Sequence, residues 1–65
     1  MRQLAEEYLR SADRLDQRIR QLRSTLDRLR GKEYVKVLRR IDLLRQEYYE
    51  TRAVAFYLLR HYRGV

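Results

Sequence analysis

Leu29-Arg30-Gly31-Lys32-Glu33-Tyr34 (LRGKEY) decides how this chain folds. Up to Leu29 the apolar residues recur in alternating steps of three and four. They are Ala5, Tyr8, Ala12, Leu15, Ile19, Leu22, Leu26 and Leu29. That is an unbroken heptad seam, with Ala5, Ala12, Ile19 and Leu26 at its a positions and Tyr8, Leu15, Leu22 and Leu29 at its d positions. From Tyr34 a second seam runs through Val37, Ile41, Leu44, Tyr48, Thr51, Ala55, Leu58 and Tyr62 with the same alternation. Between Leu29 and Tyr34 the step is five, and Gly31 sits inside it. Glycine is the residue that closes a helix in the left-handed conformation. Arg28 and Arg30 suit the C-terminal dipole of a preceding helix, and Glu33 the N-terminus of a following one. A turn at 30–32 is therefore predicted, joining a helix over 2–30 to a helix over 33–63. The competing arrangement, one helix with a skip residue, would place glycine inside a helix at a cost of about 1 kcal/mol.

Folding at that turn pairs residues whose numbers sum to 63. The layers are Leu29/Tyr34, Leu26/Val37, Leu22/Ile41, Ile19/Leu44, Leu15/Tyr48, Ala12/Thr51, Tyr8/Ala55 and Ala5/Leu58. Each a position meets a d position. Toward the termini large faces small, which an interdigitated core requires. The expected architecture is all-α: an antiparallel two-helix hairpin of the coiled-coil type, in a single domain spanning residues 1–65.

Two helices alone leave such side chains only partly enclosed. Leu4 and Leu9 on the first helix, and Leu38, Val54 and Leu59 on the second, widen the apolar stripe to the breadth of a bundle helix. A chain of 65 residues is also short for an independent core. It has no Cys, so no disulfide or thiolate zinc site makes up the shortfall. The expectation is a homo-oligomer, most simply a homodimer forming a four-helix bundle. Its interface would centre on Leu15, Ile19, Leu22, Leu44, Tyr48 and Leu58. The tract Ala53–Leu59 (AVAFYLL) is apolar on every face, so one stripe cannot account for it. Tyr49, Ala53, Phe56 and Tyr57 form a second stripe, which is either tolerated surface or a further contact surface for protein.

The net charge is +7, and 14 of the 16 basic residues are Arg. Residues 18–45 carry all of it, with ten basic groups and three acids; residues 1–17 sum to −1 and residues 46–65 to +1. A solvated helix surface explains such a distribution. So does a polyanion-binding end using Arg20, Arg28, Lys32, Lys36 and Arg39 on nucleic-acid phosphates, weakly sequence-specific and strongly salt-dependent. No helix-turn-helix pattern accompanies it.

Catalytic and cofactor signatures are not found in the sequence. There is no Gly-rich phosphate loop and no Cys/His cluster. Glu47 and Glu50 lack the His of a di-metal bundle motif. Ser11, Ser24, Thr25 and Thr51 have no partnering base, and His61 suits the dipole of a helix C-terminus. No enzyme activity, metal or cofactor is expected. No run approaches the ~20 apolar residues of a membrane span, and no signal core appears, so a cytoplasmic location is expected. The tyrosines at seam positions (Tyr8, Tyr34, Tyr48, Tyr62) each require a hydroxyl partner if buried.

The tract Arg40–Glu50 (RIDLLRQEYYE) resembles short basic helical-hairpin proteins encoded by phages and mobile elements. In length and architecture the chain also resembles the plasmid RNA-binding Rop family, whose hairpins dimerise into a bundle. That second resemblance implies the bundle only, because no RNA-contacting residue of that family matches a position here.

Overall fold

In the computed structural model, which describes residues 2–61, the chain is a helical hairpin. Helix α1 spans Arg2–Thr25, a short 3-10 helix spans Leu26–Arg28, and α2 spans Lys32–His61. The two long helices pack against each other along their lengths in one layer, with extents of 52 × 14 × 11 Å.

The turn forms where the register slips, but α1 ends at Thr25, five residues before the expected end at 30. The cause is local. The Ser24 hydroxyl donates to the Gln21 carbonyl at 2.6 Å, and the Thr25 hydroxyl to the Leu22 carbonyl at 2.7 Å. Such back-bonding competes for helix carbonyls and loosens the last turn. The chain tightens to 3-10 geometry over Leu26–Arg28, as helix ends commonly do. The Leu29 N–H still donates to the Leu26 carbonyl at 3.1 Å, while Leu29 itself is extended (φ −106°, ψ 150°). Gly31 then takes φ +61°, the left-handed value that reverses the chain. Its carbonyl accepts from the Val35 N–H at 3.2 Å, which opens α2. Helix α2 begins at Lys32, one residue before the expected start. Its expected end at 63, and Tyr62 at the close of the second seam, lie outside the described residues.

The core is narrow. Ala5, Ala12, Ile19, Ile41 and Ala55 are its buried apolar side chains, and Ile41, 1% exposed, is the largest fully buried one. All five occupy a positions. Members of the d rows, Leu15, Leu22, Val37, Leu44, Thr51 and Leu58, are only half-buried, and Tyr8 is exposed. Small a residues explain the difference. Alanines at 5, 12 and 55 let the backbones approach until those rows face each other. The larger d-row side chains are then turned toward one broad face of the hairpin.

Candidate interaction surfaces

Three surfaces follow from that geometry. The first is the d-row face. Leu15, Leu22, Leu44 and Leu58 lie on it, half-buried, with Val37 and Thr51 in the same rows. Exposed Leu4 and Val54 flank it at the terminal end. The opposite edge carries Leu9, Asp16 and Arg23 from α1 and Leu38, Arg45, Arg52 and Leu59 from α2, so it is broken by charge. The six expected interface residues divide accordingly. Leu15, Leu22, Leu44 and Leu58 belong to the open face. Ile19 is buried within the hairpin, and Tyr48 is half-buried in the same a rows.

The second surface is the aromatic stripe on the outside of α2. Tyr49 is 62% exposed, Phe56 49% and Tyr57 57%, and Ala53 is exposed between them. Arg52 organises this stripe, and sequence reasoning missed it. Its guanidinium lies 5.2 Å from the Phe56 ring centroid and 5.6 Å from that of Tyr48, within cation–π range. Tyr48 and Tyr49 meet edge to face at 5.4 Å, and Tyr57 lies 4.0 Å from the His61 ring. The signal was present: Arg52 is four residues from both Tyr48 and Phe56, the spacing at which helix side chains meet. A shallow groove at this end is lined by Ala53, Phe56, Tyr57, Leu59, Arg60 and His61.

The third surface is the turn-proximal basic end. Arg20, Arg28, Lys32, Lys36 and Arg39 are all exposed. Two of them are neutralised locally: Arg20 pairs with Asp16 at 3.1 Å, and Lys36 with Glu33 at 4.0 Å. Among the described residues Arg28, Lys32 and Arg39 have no carboxylate within salt-bridge distance. These three are spread between the tip and the outer side of α2, and no concave site gathers them.

Among the described residues, no three His, Cys, Asp or Glu side chains stand close enough together to hold a metal ion. The hydroxyls of Ser24 and Thr25 are engaged by their own helix rather than by a base. No described helix is long and apolar enough to cross a membrane. Comparison with known proteins finds no family model, no curated protein and no solved structure that matches the chain.

Proposed function

We propose that this chain is a non-enzymatic interaction protein of bacterial or phage type, a helical hairpin that works as a homo-oligomer and most simply as a dimeric four-helix bundle. The observation that carries this reading is the half-buried d-row face. Apolar side chains left in partial contact with water lose much of the ~25 cal/mol per Å² that full burial supplies. The whole chain is area-rich in the same sense. It exposes 5772 Å², whereas a compact monomer of its 8.1 kDa mass exposes about 4,500 Å². The excess of about 1,300 Å² per chain is larger than the ~800 Å² each partner contributes to an interface of standard size.

Light scattering or sedimentation equilibrium tests the reading directly. A folded monomer at micromolar concentration would overturn it. Leu22→Asp places a charge on the open face and is expected to dissociate or unfold the assembly; an intact oligomer of that variant counts equally against it.

A second reading is nonspecific nucleic-acid binding through the turn-proximal basic end. It is favoured by Arg28, Lys32 and Arg39, the three of its five expected contact residues that lack carboxylate partners among the described residues. Titration of duplex and single-stranded polymers against salt would show a steep loss of affinity as salt rises. Absence of binding at low salt, or binding unchanged in Arg28→Ala/Arg39→Ala, dismisses it.

A further inference from the structure

We infer that a second copy of this chain covers the d-row face in a turn-to-tail arrangement, each turn lying beside the partner's termini. This inference rests on the self-association proposed above and specifies its face and its direction.

The choice of face follows from the two edges of the hairpin. The d-row side presents the more apolar strip: Leu15, Leu22 and Leu29 from the α1 side, and Val37, Leu44 and Leu58 from α2, all half-buried and interrupted by the uncharged Thr51. On the other edge Asp16, Arg23, Arg45 and Arg52 alternate with the leucines. Burying that edge would desolvate four charges, each costing several kcal/mol unless paired. Burying the d rows removes apolar surface and leaves Arg18, Glu33, Arg40 and Glu47, all exposed, at the rim, where they stay wet.

The direction follows from charge. Two identical faces packed about a two-fold axis have two solutions. An axis along the hairpin puts both turns at one end. An axis across it puts them at opposite ends. Both leave every pair of neighbouring helices antiparallel, so helix dipoles do not choose between them. The charge distribution does. Residues 18–45 of each chain carry +7, and the remainder of the chain is neutral overall. Turns at one end would set two +7 halves side by side, about 10 Å apart at ordinary helix spacing and near the Debye length at physiological salt. The turn-to-tail solution sets each +7 half against a neutral one. Its two-fold axis crosses the middle of the hairpin, between the Ile19/Leu44 and Leu15/Tyr48 layers. Leu44 then packs near its counterpart in the second copy, and Leu15 and Leu22 interleave with theirs.

The absence of Cys makes the test clean. A single Lys32→Cys substitution, at the exposed first residue of α2, accepts a spin label without entering any interface. In a dimer confirmed by light scattering, the turn-to-tail arrangement gives a label–label distance comparable to the 52 Å length of the hairpin. A distance of about 20 Å, two helix spacings, overturns the direction while leaving self-association standing. A monomeric mass overturns self-association itself. For the face, Leu44→Gln is expected to raise the dissociation constant at least tenfold, and Leu38→Glu, on the charged edge, to change it less than twofold. The reverse ranking overturns the assignment of the face, and because Leu38 is exposed that variant keeps the comparison informative if Leu44→Gln folds poorly.

Discussion

The Arg52 guanidinium donates through Nη1 to the Tyr48 hydroxyl at 2.8 Å. One turn of α2 separates the two residues, and the bond resolves a conflict in the seam. Tyr48 occupies an a position whose neighbours Ile41 and Ala55 are buried, so its ring belongs to the hairpin while its hydroxyl needs a partner. Arg52 supplies that partner from the edge, where its own charge remains hydrated. The same guanidinium reaches Phe56 and ties the seam to the exposed aromatic stripe.

Tyr48→Phe keeps the ring and removes only the acceptor. It is expected to cost less than about 1 kcal/mol, the net value of an ordinary hydrogen bond. Tyr48→Ala removes the packing too and should cost about 2–3 kcal/mol. Urea denaturation at one fixed protein concentration separates the two, because any oligomer makes stability concentration-dependent. Equal losses would mean that the hydroxyl, and not the ring, is what the seam depends on.

Ile41 and Leu43 offer a sharper contrast two residues apart. Ile41 is 1% exposed and Leu43 is 63% exposed. Ile41→Ala should cost about 2–5 kcal/mol, a range set by how far the helices close over the cavity. Leu43→Ala should stay within about 0.5 kcal/mol, as surface changes do. A large loss at Leu43 would show that the outer side of α2 is covered by something other than the d-row partner.

The hairpin was legible in the sequence because two heptad runs and one glycine all pointed to the same reversal. Two features were not. The heptad count carried Leu26 and Leu29 into α1, since their spacing is helical. Their placement was decided instead by the Ser24 and Thr25 hydroxyls, which bond to carbonyls three residues back. A Ser-Thr pair ahead of Asp27 was the available signal, because these residues compete with the helix for its own backbone. The second feature is the unequal burial of the a and d rows. Periodicity treats the rows alike. Residue size breaks the tie: alanines at 5, 12 and 55 bring the backbones together on one row and leave the leucines of the other outside. The aromatic stripe was legible in its positions but not in its organisation, which depends on Arg52 standing between two rings.

Gly31 tests the turn. Its φ of +61° is strained for any L-residue, yet nothing lies within 4 Å of where a Cβ would sit. Backbone strain is thus the whole penalty. Gly31→Ala should lower stability by about 1–2 kcal/mol. D-alanine, introduced by chemical synthesis, favours the same φ and restricts the unfolded chain, so it should stabilise by about 0.4–1 kcal/mol. Opposite signs for the two enantiomers are the expected result. A neutral L-alanine variant would mean that the chain does not reverse through a left-handed residue at this position.

Ala55 and Ala12 test the close approach of the helices. Both are fully or nearly fully buried, and in the pairing scheme Ala55 stands opposite Tyr8 and Ala12 opposite Thr51. A larger residue has nowhere to go unless the helices part. Ala55→Leu and Ala12→Leu should each destabilise by about 1–3 kcal/mol through overpacking, although both add apolar surface to a chain short of core. The same substitution on the outer side, Ala53→Leu, should be near neutral, since Ala53 is exposed. Thermal melts of the three variants at equal concentration decide the matter. If Ala55→Leu and Ala12→Leu instead raised stability, the alanine rows would not be the contact that sets helix separation, and the partial exposure of the leucine rows would need another cause.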